Sequence, residues 1–448
     1  MLKLQPLSKL GLLVKRNPKT SSFAGIYFLI LIYAKLNQKT KLELFYTKNS
    51  ELAKKVLSNS YLNDMHFVPS FFLQSCHQQT VMSPIMGSFV KYFNAILFKR
   101  EIFTFNDGGH TAIDWENDIP LDLSEIAVDQ NDINNYIIID KRPIVIVLPG
   151  LTSNNNEIYV QNLLIEAKKH GYQAVVVNYR GASDLELKVT SIQNLIILQS
   201  PKMYCAASTG DIREPLDYIY QKYCCDKTGQ NFRKLFLIGN SMGANIVANY
   251  LGEEGEIQEQ FLQNFDTNSN EQQQYEYKIS GACCVQPPMR MWETQNQVKN
   301  SYYGIYNQII GSNLKRKISK YTDILHSEYL ITNQIDLHET LKMINSLTDY
   351  DHHLTSKVFG YETLENYCDK ASSVHRIPKI SVPTFILMAK DDPIVGEKTI
   401  AYESCQANQN IILGVTEYGG HLGYFENISS TQQWFVKPVF EFLNAIKE

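Results

Sequence analysis

The stretch KLFLIGNSMGANIVANYLGEEG, residues 234–255, decides how the chain is read. Its first half, KLFLI, is a short continuous apolar run of the kind found in a strand buried on both faces. Its second half spaces apolar residues as a helix does. Between them stands Gly239-Asn240-Ser241-Met242-Gly243, which fits the pattern G-x-S-x-G between a strand and a helix. In that setting the serine sits on a sharp, strained turn, and the glycines two residues to either side let the chain pass closely. The helix that begins at Met242 aims its free N–H groups at the same point, which suits a developing oxyanion. Ser241 is therefore expected to be a nucleophile.

Working outward, the flanking pattern alternates strand and helix. PIVIVLPG (143–150), QAVVVNYRG (173–181) and ISGACCV (279–285) read as strands; NEIYVQNLLIEAKKHG (156–171) and STGDIREPLDYIYQKY (208–223) read as helices. MGANIVANYLGEE (242–254) is the helix after the turn, and IQEQFLQNFDTNSNEQQQYEYK (257–278), rich in Gln and Asn, reads as a loop. The rhythm resumes with VPTFILMAKDD (382–392) and NIILGVTEYGGH (410–421), and TQQWFVKPVFEFLNAIKE (431–448) reads as a terminal amphipathic helix. Alternation of this kind implies a mostly parallel central sheet with helices on both faces. Residues 287–378 lack strand rhythm and are expected to form a helical cap inserted between two sheet strands, with helices around Tyr302–Tyr321 and Leu337–Leu347. Upstream, REIFTFNDGGHTAIDWEN (100–117) reads as a hairpin turning at Asp107-Gly108-Gly109. AVDQNDINNYIIIDKR (127–142) reads as a polar surface insertion, and residues 41–100 show no clean period.

A serine hydroxyl needs a base, and the base needs an acid to orient it. In this architecture they follow in the order Ser, Asp or Glu, His, each in a loop after a late strand. Of the downstream histidines, His352 and His353 fall in the cap and His375 precedes a strand. His421 alone follows a strand directly, and it is taken as the base. The acid is expected after TFILMA, where Asp391-Asp392-Pro393 stands; Asp392 is preferred, with Asp391 turned toward backbone N–H groups or solvent. The second oxyanion donor is expected in LPGLTS (148–153), making the amides of Leu151 and Met242 a pair. Arg180 and Asp211 read as ion-pair or capping residues.

These blocks carry a resemblance. LPGLTS, NYRG, SPKMYCAASTGDIREPLDYI, GNSMGANIVANYLGEEG, HLTSKVFGYETLENYCDKASS, VPTFILMAKDDPIV and GGHLGY, in this order, resemble the α/β-hydrolase fold. Within it they are similar to the single-pass subfamily of acylglycerol lipases, medium-chain phospholipases and hydrolases of the embryogenesis-associated type. The resemblance spans about residues 40–448. It implies a Ser241–Asp392–His421 triad, hydrolysis of ester bonds in lipids or small acyl esters, no metal or organic cofactor, and an N-terminal membrane anchor. Departures are Cys76-His77, where glycine usually precedes the histidine, and Gly243-Ala244-Asn245, where two glycines are common. Glu426 replaces the aspartate that completes an acyltransferase signature in some relatives. Two rival readings are an acyltransferase using the same triad and a catalytically silent binding protein of the same fold.

Composition agrees with an enzyme of this size. The 448 residues are 44% hydrophobic and 20% charged, ordinary for a globular chain. A net charge of −4 and the lack of a basic stripe interleaved with aromatics set nucleic acid aside as a partner. The eight cysteines show neither CxxC nor Cys/His ligand spacing, so reduced thiols are expected and a metal site is not. The apolar run Phe23–Ala34 is shorter than the ~20 residues of a membrane-spanning helix, though Ser21, Ser22 and Leu36 lengthen it and lysines flank it. By itself the run reads equally as an anchor or as a buried element; the resemblance favours an anchor at about 22–36, an N-terminal segment 1–40 and a hydrolase domain 41–448. The sequon Asn427-Ile428-Ser429 reads as a sign of lumenal exposure or, so near His421, equally as chance occurrence.

Overall fold

The computed structural model describes residues 39–93, 96–125, 140–182, 189–192, 195–198, 203–264, 277–427 and 431–447, with Gly25 and Leu29 alone from the N-terminal segment. The rest of the run at 22–36, most of the 127–142 insertion, residues 265–276 and the end of the sequon lie outside them. Among the described residues no helix is long and apolar enough to cross a membrane.

Among the described residues nine strands form one sheet: β1 (Glu43–Tyr46), β2 (Phe98–Thr104), β3 (His110–Glu116), β4 (Ile144–Leu148), β5 (Gln173–Val177), β6 (Leu235–Asn240), β7 (Ile279–Val285), β8 (Thr384–Ala389) and β9 (Ile411–Thr416). Their order is β1-β9-β8-β7-β6-β4-β5-β3-β2. The six strands from β9 to β5 are mutually parallel, and antiparallel pairs close both edges. The expected hairpin is β2–β3, paired in continuous register from Phe98↔Glu116 to Thr104↔His110.

Alternation along each strand sends its side chains into two separate cores. Ile144, Ile146 and Leu148 of β4 join one core, with Leu235 and Leu237 of β6. Val145 and Val147 join the other, with Phe236 and Ile238. The helices that cover these faces, and those that shape the site, are α1 (Cys76–Phe93), α2 (Ile158–Lys169), α3 (Gly210–Ile219), α4 (Met242–Gln263), α5 (Met291–Asn300), α6 (Ile305–Ser319), α7 (Thr322–Asn333), α8 (Leu337–Met343), α9 (Leu364–Ala371) and α10 (Val436–Lys447). α3, α4 and α9 pack on the first face; α2 and α10 pack on the second.

Between β7 and β8 the chain forms helices and no strand. Val298, Tyr306, Leu314, Ile318, Leu325 and Tyr329 lead a third apolar cluster there, distinct from the two faces of the sheet. Two sequence readings are corrected. α4 continues through Ile257 to Gln263, into the stretch read as a loop. Gly252 and Gly255 lie within it; a Cβ at Gly252 would stand 2.5 Å from Cβ of Arg376, and one at Gly255 would stand 1.8 Å from the Lys379 carbonyl. They let the segment 376–379 press against the helix. The helix read as starting near Tyr302 begins instead at Ile305, because Tyr302 and Tyr303 hold left-handed backbone at φ 46° and 57°.

β6 is the central strand. Its register sets Gly239 beside Leu148 of β4 and Asn240 beside Val285 of β7. The turn after it therefore opens at the carboxyl edge of the sheet, where α/β proteins place their sites. A Cβ at Gly239 would lie 2.5 Å from Cα of Ala244 and 2.5 Å from the Gly243 carbonyl, both fixed backbone. Gly239→Ala is expected to destabilise the fold by about 3 kcal/mol, read from urea unfolding, because α4 must shift off the strand end.

Candidate active site

Ser241 occupies φ 52°, ψ −119°, a conformation an L-residue adopts only under constraint. The constraint is visible. Its amide donates to the Val285 carbonyl at 2.8 Å, and its carbonyl accepts the Asn245 amide at 3.1 Å. A Cβ at Gly243 would fall 2.4 Å from the Pro149 carbonyl and 2.9 Å from the Tyr179 hydroxyl, so only glycine lets the helix start so close to the loop after β4. The Ser241 side chain is thus held clear of both its neighbours in the chain.

His421 comes to it from the far side. The loop after β9 bends through Gly420 at φ 61° and Leu422 at φ 49°. Nε2 of His421 lies 2.9 Å from Oγ of Ser241, and Nδ1 lies 2.7 Å from Oδ2 of Asp392. A carboxylate only accepts, so the proton resides on Nδ1 and Nε2 is left to accept from the serine hydroxyl. Asp392 is 1% exposed, and its other oxygen accepts the amides of Ile394 at 2.8 Å and Val395 at 2.9 Å. Those two bonds fix the carboxylate in the plane it presents to the imidazole. Asp391 turns away and accepts the Gly420 amide at 2.9 Å, while burial pushes its carboxyl up to about 7. The structure therefore brings together Ser241, Asp392 and His421, and leaves His352, His353 and His375 outside the group; His375 is exposed and bonds Asp369.

The loop Pro149–Ser153 faces the serine. Gly150 approaches it closely, since a Cβ there would meet Cβ of Ser241 at 3.3 Å. Three tyrosines brace this loop. The Gly150 amide donates to Tyr159, the Tyr179 hydroxyl donates to the Pro149 carbonyl, and the Thr152 amide donates to Tyr204, at 2.9, 2.9 and 3.0 Å. Leu151 and Met242 both line the cavity beside Ser241. Met242 opens α4, so its amide has no acceptor within the helix. Lys317 of α6 donates to the Thr152 carbonyl at 2.5 Å, tying the helices between β7 and β8 to this loop.

Sequence reading missed the residues that hold the His421 loop. Gln286, fully buried, donates to the Gly420 carbonyl and accepts the Leu422 amide, spanning His421 from behind. Gln433 donates to the carbonyls of Leu422 and Gly423 at 2.6 and 2.8 Å. Gln79 of α1 bonds both polar backbone groups of Phe425, and Thr80 accepts the His421 amide at 2.8 Å. Glutamines scattered over hundreds of residues form no local pattern, and only Gln286, directly after a strand end, sat where a search could begin. Gln286→Ala leaves a buried amide and a buried carbonyl unpaired. It is expected to cost about 2 kcal/mol of stability and about tenfold in kcat, checked by denaturant titration and steady-state kinetics.

A cavity of about 520 Å³ opens at Ser241 and His421. Its walls are largely apolar, with Val81, Met291, Tyr306, Ile309, Leu347 and Tyr367 among them. Asp351 adds a buried carboxyl, bonded by Gln295 at 2.6 Å and Thr355 at 2.9 Å and pushed up to about 7 by burial. Arg180 is structural as read: it pairs with Asp107 at 2.9 Å and Asp211 at 3.0 Å and covers the Phe105 ring. The cysteines are all free thiols, and burial lifts the Cys76 thiol to about 11, far from nucleophilic character. Among the described residues no cluster of His, Cys, Asp or Glu is arranged to hold a metal.

Comparison with known proteins shows the family. Residues 143–428 match the family model described as alpha/beta hydrolase fold. The chain is similar to Phospholipase ABHD3 of Mus musculus, 25% identical over 384 residues, covering 85% of this chain and 79% of that protein. It is also similar to Monoacylglycerol lipase of Saccharomyces cerevisiae, 30% identical over 314 residues, covering 69% of this chain and 60% of that one. Embryogenesis-associated protein EMB8 of Picea glauca is 25% identical over 387 residues, covering 84% of this chain and 72% of its own. Among solved structures, the esterase Pf2001 of Pyrococcus furiosus aligns at 15% identity with TM-score 0.41, over 81% of this chain and 95% of that one.

Proposed function

The chain belongs to the α/β-hydrolase fold family and is an ester hydrolase, and from that premise we propose that it cleaves carboxylic esters of lipids through an acyl-enzyme on Ser241. The observation that carries this is the chain of bonds Ser241–His421–Asp392, at 2.9 and 2.7 Å, opening on an apolar cavity. His421 Nε2 takes the hydroxyl proton as Oγ attacks the ester carbonyl carbon. The amides of Leu151 and Met242 receive the negative charge that moves onto the carbonyl oxygen. Asp392 stabilises the imidazolium, which then protonates the departing alcohol. Water, deprotonated by the same nitrogen, attacks the acyl-enzyme and releases the acid.

The lipid class rests on two supports: the apolar walls around the serine, and the names phospholipase and monoacylglycerol lipase carried by similar proteins. Residues 287–378 act in this reading as a cap that houses the acyl chain, upon a hydrolase domain at 41–448. The apolar run at 22–36 serves as a membrane anchor, supported by its composition and its flanking lysines. The test is product analysis with the purified protein on monoacylglycerols, phospholipids and short-chain esters. Free fatty acid is expected, in amounts unchanged by added alcohol. A new ester formed from that alcohol would overturn hydrolysis in favour of acyl transfer.

A further inference from the structure

We propose that the mouth of the cavity is a docking face for the surface of an anionic lipid bilayer, an inference that rests on the lipid-ester reading of the site. Two helices form the mouth. Thr80, Val81 and Pro84 of α1 line one side, and Tyr306, Ile309 and Asn313 of α6 line the other. They are joined where His77 Nδ1 meets the Tyr306 hydroxyl at 2.9 Å. Val81 and Ile309 line the cavity and are also about half exposed, so the apolar interior continues onto the outer surface. Ile85 lies one helical turn beyond Val81, and Ile305 lies one turn before Ile309; both are exposed.

The turn leading into α6 adds to this face at a cost to the backbone. Tyr302, Tyr303 and Gly304 are all left-handed, at φ 46°, 57° and 75°. For the two tyrosines that is a strained conformation. It sets the Tyr302 ring against His77 at a tilt of 39°, ring centres 4.6 Å apart, and leaves Tyr303 94% exposed. Beyond a tilted contact with the Tyr302 ring at 6.3 Å, the Tyr303 ring faces outward. At a headgroup boundary an amphipathic ring of this kind is stabilised.

Charge selects the partner. Neither α1 nor α6 contains an Asp or Glu, in a chain with 46 acidic residues. α6 carries Lys315, Arg316 and Lys317 in succession; Arg316 and Lys317 line the cavity, Lys317 bonded to the Thr152 carbonyl beside Glu157 and Lys315 bonded to the Ile344 carbonyl, which leaves the exposed Arg316 to lead the basic edge. An apolar rim with basic residues at its edge fits acyl chains below anionic headgroups. A lipid ester would then pass from the bilayer into the cavity without crossing water.

The test compares the full-length protein with a double variant, Ile85→Glu with Tyr303→Asp, neither residue lining the cavity. Two substrates are used: a long-chain monoacylglycerol in vesicles of phosphatidylcholine and phosphatidylserine, and a water-soluble short-chain ester. Vesicle turnover by the variant is expected to fall about tenfold, with soluble-ester turnover kept within about twofold. For the parent, omitting phosphatidylserine should slow vesicle turnover about fivefold. Equal vesicle turnover by variant and parent overturns the proposal and indicates another occupant, such as a second copy of the chain. A parallel fall on both substrates overturns it as well, since the variant would then have damaged the site. If the parent fails on the soluble ester, the esterase reading itself is lost, whatever the vesicle arms show.

Discussion

Ser241→Ala is expected to lower kcat for ester hydrolysis by about a million-fold, with KM and the urea midpoint little changed. The size follows from what is removed. In the proposed mechanism His421 and Asp392 move one proton, and without the Oγ hydroxyl there is no proton to take and no atom to form the acyl bond. What survives is oxyanion stabilisation and substrate binding alone. The fold should be indifferent, since Oγ makes one hydrogen bond, to His421, and the strained turn is held by the Ser241 amide, its carbonyl and the two glycines. Removing a side-chain atom at φ 52° adds no new strain. The measurement is product release with high enzyme concentration, paired with an unfolding titration. A loss below about a hundredfold would mean that another group carries the attack.

The two adjacent aspartates give the second large effect. Asp392→Asn should cost about ten-thousandfold in kcat, because an amide at this position favours the wrong imidazole tautomer and cannot stabilise the imidazolium. Asp391→Asn should cost only a few-fold, since the asparagine carbonyl oxygen can still accept from Gly420. The same substitution carries a pH signature. Burial raises the Asp391 carboxyl to about 7, above its unfolded value, so the folded state favours the neutral acid. The associated stability is present at acidic pH and is lost as pH rises through about 7. Asp391→Asn should therefore flatten part of the decline in unfolding free energy between about pH 4 and about pH 8, measured by urea titration at several pH values. If Asp391→Asn abolishes turnover and Asp392→Asn spares it, the assignment of the acid is reversed.

Much of this site could be read from the chain because its parts announce themselves locally. β6 is an unbroken apolar run, and the glycines at 239 and 243 admit only the spacing that close backbone contact allows. His421 and Asp392 each stand just past a late strand, where chain order leaves little choice. The rest depends on contacts no local pattern encodes. α1 escaped notice because Pro84 interrupts it and its first turn is polar, yet Gln79 and Thr80 on it anchor the His421 loop across more than 340 residues. Nothing local explains Gly252 and Gly255, and only the segment passing over them shows why they are glycine. The left-handed turn at Tyr302–Gly304 breaks a stretch whose spacing is otherwise helical. Arg180 and Asp211 were legible as an ion pair; the aromatic ring beneath the guanidinium was not.

We expect one activated serine to carry the chemistry. This is tested most directly by treating the protein with a fluorophosphonate and locating the adduct by mass spectrometry. One adduct per chain, on the peptide containing Ser241, is the predicted result, with labelling abolished in Ser241→Ala and strongly slowed in His421→Ala. Absence of any adduct on a folded protein, or labelling that persists undiminished in Ser241→Ala, would contradict it.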